Sequence, residues 1–129
     1  MNNKILITDD DAPFRESIAK VLEIVGYDVY EANNGVEAMR IIGMAEIDLL
    51  ITDILMPEMD GIKLFEAAKN LYPEFIIIGM SGGGNPSTDL IDSTTEQLFD
   101  NFFTKPFARE KLLEAVASLI GTPCGSGAV

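Results

Sequence analysis

The sequence predicts an α/β domain: an open, five-stranded parallel sheet with helices on both of its faces. Three observations lead there. Short apolar runs of strand length alternate with longer stretches of helical periodicity, five times over in 129 residues. The runs Ile5-Leu6-Ile7, Leu49-Leu50-Ile51 and Phe75-Ile76-Ile77-Ile78 are continuous rather than alternating, as strands covered on both faces are. Strands linked through helices pair in parallel by right-handed crossovers, which sets helices on both sides of one sheet.

The elements follow in order. Lys4–Thr8 is the first strand and runs into Asp9-Asp10-Asp11. Phe14, Ile18, Val21, Leu22 and Val25 repeat at helical spacing, with Pro13 suited to the first turn, Asp11 or Ala12 near the cap, and Gly26 at the end. Tyr27–Ala32 reads as the second strand, and Asn33-Asn34-Gly35 as a turn before a helix from about Val36 to Met44. Ile47–Asp53 is expected as the third strand, Met56–Gly61 as a loop, and Ile62–Leu71 as a helix that Pro73 terminates. Phe75–Met80 supplies the fourth strand, and Ser81-Gly82-Gly83-Gly84-Asn85-Pro86 reads as a loop with little conformational restraint. Ser87–Phe99 is a weaker helical stretch, because Ser93-Thr94-Thr95 is poor in helix formers. Asn101–Thr104 is a short fifth strand, Lys105-Pro106 a turn, and Ala108–Ile120 the last helix. Residues 1–120 therefore read as one domain, and residues 121–129 (GTPCGSGAV) as a tail or linker stub.

Composition removes several function classes. Hydrophobic residues make up 47% of the chain, which argues against a disordered segment. Nine basic residues stand against 21 acidic ones, a net charge of −12. Such a chain repels nucleic-acid backbones and anionic membranes, and attracts divalent cations and basic partner surfaces. There is no histidine, so Ser-His and Cys-His catalysis, His-ligated zinc and phosphohistidine chemistry are all excluded on this chain. The single Cys124 allows no intramolecular disulfide. No apolar run approaches the roughly 18–20 residues of a membrane span, and Met1-Asn2-Asn3-Lys4 leads straight into Ile5-Leu6-Ile7, a run too short for a signal-peptide core. A cytoplasmic location is the expectation.

In an open parallel sheet, ligands bind beyond the carboxyl ends of the strands. Those ends carry Asp9-Asp10-Asp11, Asp53, Ser81 and Thr104-Lys105. Clustered acids repel one another unless a cation joins them, and oxygen ligands without histidine or cysteine suit Mg²⁺. The same set suits phosphoryl transfer. A carboxylate can act as nucleophile and become an aspartyl phosphate, while a metal ion and a lysine offset charge on the phosphoryl oxygens and a hydroxyl donates to one of them. Asp53 is the expected acceptor. Each residue alone has an ordinary use: the acids as a helix N-terminal cluster, Ser81 as a loop serine, Lys105 as a solvated charge, Phe102 as a core aromatic. The chemical reading rests on their convergence.

Four segments, KILITDDDAPFRE (Lys4–Glu16), DLLITDILMPEMDG (Asp48–Gly61), IIGMSG (Ile77–Gly82) and FFTKPF (Phe102–Phe107), together resemble the receiver domain of two-component response regulators. The resemblance runs from Lys4 to about Ile120. It implies a flavodoxin-like sheet of order 2-1-3-4-5, with Asp53 as phosphoacceptor. Asp9, Asp10, Asp53 and the backbone carbonyl of Leu55 would hold Mg²⁺, and Lys105 would pair with the phosphoryl group. Ser81 and Phe102 match the family's hydroxyl and aromatic switch positions, and Lys105-Pro106 matches a bond usually cis there. The implied partners are a sensor histidine kinase or phosphotransfer protein, and a downstream effector or an output domain absent from this chain. No direct nucleic-acid or membrane contact is implied.

The sequence departs from that pattern in two places. Three glycines follow Ser81, and Phe99-Asp100 replaces the family's usual Gly-Ala before the last strand. Leu55 and Gly83 fall at positions resembling the family's tuners of phosphoryl lifetime. Neither offers a group to orient an attacking water, so slow loss of the phosphoryl group is expected. A phosphatase or mutase on a similar sheet would place a second acid two residues after the nucleophile. Leu55 stands there, so a turnover enzyme is not expected. A receiver-like binding module without phosphorylation would lack an acid, the hydroxyl or the lysine, and this chain keeps all of them.

Overall fold

The computed structural model describes residues 3–54, 61–82, 98–105 and 107–122. Its elements are β1 (Lys4–Thr8), α1 (Ala12–Val25), β2 (Asp28–Ala32), α2 (Gly35–Met44), β3 (Leu49–Asp53), α3 (Gly61–Leu71), β4 (Ile76–Gly82), β5 (Asn101–Lys105) and α4 (Arg109–Ile120). All strand pairs are parallel, in the order β2-β1-β3-β4-β5. The expected sheet and its order are therefore present.

Continuous apolar strands arise because successive side chains point to opposite faces and both faces are covered. Ile5, Ile7, Leu49, Ile51, Ile78 and Met80 form one core with Ile18 and Leu22 of α1 and Leu112 and Val116 of α4. Their neighbours Leu6, Leu50 and Ile77 form the other core with Ala38 and Ile42 of α2 and Leu64 and Ala68 of α3. Each large apolar side chain buried this way contributes about 1.5–3 kcal/mol relative to exposure.

Local chemistry starts and stops the helices. The Asp11 carboxylate caps α1 by accepting from the Phe14 N–H at 3.3 Å, and the Gly26 N–H closes it on the Leu22 and Glu23 carbonyls. Asn34 caps α2 by accepting from the Glu37 N–H at 2.8 Å, while Glu37 accepts from the Asn33 N–H at 2.8 Å. Gly35, expected in the turn, is thus the first helical residue. No helix among the described residues is long and apolar enough to cross a membrane.

Several boundaries correct the sequence expectation. Tyr27, Ile47, Asp48 and Phe75 lie just outside the strands to which they were assigned. Ser81 and Gly82, expected in a loop, are strand residues of β4, paired with Thr104 and Lys105. Lys105 is accordingly the last residue of β5 rather than part of a turn. The Gly-rich composition suggests a loop, but β5 runs on through Thr104 and Lys105 and supplies ladder partners. Phe99 is not helical; it sits buried in the second core just before β5. The expectations for Leu55, Gly83, Pro106 and Cys124 lie outside the described residues. So do the loop over 56–60, most of the helix expected over 87–99, and the tail beyond Thr122.

Candidate functional site

The carboxyl ends of β1, β3 and β5 bring four of the expected residues together. Asp9, fully buried, follows β1, and Asp53, 7% exposed, ends β3. Lys105, at the end of β5, sends its Nζ to Asp9 Oδ2 at 2.6 Å and to Asp53 Oδ2 at 3.4 Å. One ammonium from the edge strand β5 thus bridges two carboxylates at the ends of the paired strands β1 and β3. Asp9 Oδ1 accepts from the Asp11 N–H at 2.9 Å, so both of its oxygens are held.

Burial alone would pull the Lys105 ammonium down. The Asp9 hydrogen bond and the charges of Asp53 and Asp9 outweigh it and hold the group above the ordinary lysine value. Lys105 Nζ also stands 4.3 Å from the centre of the Phe14 ring, whose negative face favours a cation. Phe14 meets Phe107 edge-on at 5.9 Å, so an aromatic wall closes this side of the pocket.

Exposed Asp10 completes an acidic trio. Asp9, Asp10 and Asp53 each offer a carboxylate oxygen, all within 4.8 Å of one another, and these three could hold a metal ion. The donor set is all oxygen, which fits a hard divalent cation and not a thiolate- or imidazole-seeking one. Asp11, by contrast, has the structural use its position allowed, as the cap of α1.

Ser81 is buried in β4, one residue beyond Met80, the partner of Asp53. The pleat turns Ser81 to the face opposite Met80, and no hydrogen bond joins its hydroxyl to Asp53 or Lys105 among the described residues. Phe102 pairs with Gly79, over which its ring lies: a Cβ at Gly79 would sit 2.7 Å from Phe102 Cδ2. Phe102 also meets Phe99 at 5.6 Å, and Phe99 meets Phe65 of α3 at 4.9 Å. Phe99 and Asp100, the residues that replace the family's Gly-Ala, each have a place. Phe99 fills this aromatic stack, and Asp100 Oδ2 accepts from the Ile77 N–H at 2.8 Å.

Two supporting residues were not foreseen from the sequence. Arg15 Nη1 donates to the Asp9 carbonyl at 2.7 Å while its Nε donates to Glu31 Oε1 of β2 at 2.9 Å, bracing the acidic loop from behind. A cation one turn into the helix after an acid cluster was the available signal. Gly61, assigned only to a loop end, lets the start of α3 touch the end of β3. A Cβ there would fall onto the Asp53 carbonyl oxygen and lie 2.7 Å from Ile54 Cα.

A buried carboxylate pair bridged by lysine, with a third acid at the mouth, at the carboxyl edge of a 2-1-3-4-5 sheet, defines a class of acidic-pocket α/β domain. Residues 5–117 match the response regulator receiver domain family, and the chain belongs to it. It is similar to the response regulator MprA of Mycobacterium leprae, with 31% identity over 123 residues, covering 91% of this chain and 50% of that protein. The CAI-1 autoinducer sensor kinase/phosphatase CqsS of Vibrio cholerae is 33% identical over 120 residues, covering 91% of this chain and 17% of that one. A CheY-like response regulator receiver domain protein from Methanospirillum hungatei superposes with a TM-score of 0.80 at 28% identity, covering 92% and 93% of the two chains. The chain therefore spans about half the length of the MprA relative. The fold is flavodoxin-like, and the chain is a receiver domain of two-component signalling.

Proposed function

We propose that Asp53 accepts a phosphoryl group from a sensor histidine kinase or a phosphotransfer protein, and that the chain stores it as a signal. The observation that carries this reading is the Lys105 ammonium shared between the Asp9 and Asp53 carboxylates. A cation already placed beside the acceptor is positioned to take up the charge of an incoming phosphoryl oxygen. The Asp53 carboxylate attacks phosphorus, an acyl phosphate forms, and the donor keeps the electron pair of the broken bond. Asp9, Asp10 and Asp53 would hold Mg²⁺, with the Leu55 carbonyl as a further ligand. Bound there, the ion would supply charge neutralisation for the transferring group.

Ser81 and Phe102 are the switch pair in this reading. Ser81 turns its hydroxyl toward the phosphoryl group, and Phe102 follows, changing a partner-binding face. The readers would be a downstream effector or an output domain, and the setting the cytoplasm. Leu55 in place of a second acid supports a stored signal with slow phosphoryl loss over turnover catalysis.

The test is intact mass after incubation with Mg²⁺ and acetyl phosphate. One added phosphoryl group is expected on the parent and none on Asp53→Asn. An unmodified parent, or a variant modified equally, would overturn the assignment.

A further inference from the structure

The end of the sheet opposite Asp53 holds a feature that phosphorylation does not use. There the C-terminal ends of α2, α3 and α4 leave a groove of about 630 Å³, within the size of ordinary ligand and peptide sites. Six large apolar side chains are half-exposed or more among the described residues, and three of them gather on this groove: Met44 (74%), Leu71 (56%) and Tyr72 (50%). Apolar surface concentrated in this way marks an interaction site, and methionine and tyrosine suit adaptable contact.

The charge at the rim is of one sign. Glu46, Asp48 and Glu74 line the groove, and among the described residues no lysine or arginine does. Asp48 is engaged by the Lys4 N–H at 2.9 Å, but Glu46 and Glu74 are exposed and form no ion pair among the described residues. Lys69, on the neighbouring turn, is folded onto the Phe75 carbonyl at 2.6 Å and does not line the groove.

We infer that this groove docks a basic, apolar segment of a partner protein: one or two large apolar side chains seated between Met44, Leu71 and Tyr72, flanked by Lys or Arg that answer Glu46 and Glu74. The acids select against other occupants. A second copy would bring the same acid rim and a net charge of −12 to the contact. The segment after Gly121, TPCGSGAV, contains no basic residue. Because the groove and the acidic pocket lie at opposite ends of the strands, docking here is independent of phosphorylation.

The test is an amide-resolved NMR titration of the full chain with three synthetic peptides, KKLWLKK, EELWLEE and KKGSGKK. The expected result is shifts at Gly43, Ala45, Tyr72 and Phe75 with KKLWLKK alone, unchanged in Asp53→Asn. Glu46→Lys combined with Glu74→Lys, both at exposed positions, is expected to weaken binding roughly ten-fold. Leu71→Ser is expected to weaken it without any change of charge. The inference is overturned by an absence of shifts or by shifts centred on Asp9 and Asp53. Equal binding of either control peptide, or affinity unaffected by these variants, overturns it too. Groove shifts that instead track protein concentration without peptide would assign the face to a second copy and equally reject the proposal.

Discussion

Replacing Lys105 with methionine keeps the length of the side chain and removes the charge that two acids share. Asp9 is fully buried, and the change takes away its 2.6 Å ammonium partner, leaving the Asp11 N–H alone. Asp53 loses its 3.4 Å contact to the same group, and Phe14 loses the cation over its ring. Removing one partner of a buried pair costs about 3–5 kcal/mol. Lys105 is 17% exposed at the pocket mouth, so water offsets part of that and about 3 kcal/mol is expected. For a chain of this size that lowers Tm by roughly 10 °C. With the ammonium gone, the carboxylates attract a divalent cation more strongly, so Mg²⁺ should restore more stability to the variant than to the parent. Thermal unfolding with and without millimolar MgCl₂ measures both effects. A variant as stable as the parent without metal, or an equal gain from Mg²⁺ in both proteins, would refute the reasoning.

Three further perturbations probe the supports of the pocket. Gly61→Ala drives a Cβ into the backbone of Asp53 and Ile54, neither of which can rotate away. About 1–3 kcal/mol of lost stability by urea unfolding is expected, with slower modification of Asp53 by acetyl phosphate. Arg15→Ala removes the donors to the Asp9 carbonyl and Glu31; about 1–2 kcal/mol and a weaker Mg²⁺ titration are expected, and an unchanged metal affinity would show that the brace does not reach the site. Tyr27→Phe removes the hydroxyl that donates to the Gly121 carbonyl at 2.7 Å, at a cost of about 1 kcal/mol near neutral pH. Burial raises the Tyr27 phenol above its ordinary value, so its contribution is complete below the unfolded pKa and is lost as pH climbs through the folded one. The variant's stability should therefore fall less steeply than the parent's above about pH 10.

What the chain alone determined was whatever depends on neighbours in sequence. The strands were legible because Ile5-Leu6-Ile7 and Leu49-Leu50-Ile51 tolerate only a setting covered on both sides. The cap at Asp11 was legible because a helix start is satisfied within three residues, whereas Asn34 read only as part of a turn and the structure makes it the cap of α2. Asp9, Asp10, Asp53 and Lys105 could be gathered in advance because the ends of parallel strands share one edge whatever lies between them. Where strands end was decided in three dimensions. Ser81 and Gly82 carry the composition of a loop, and only pairing with Thr104 and Lys105 extends β4 through them. The same holds for Arg15, which reaches Glu31 on another element, and for Phe14, whose ring faces Lys105 from the far part of the chain. Those contacts have no periodicity and no fixed spacing. They exist because the fold sets α1 against the mouth of the sheet, and that placement is a property of packing.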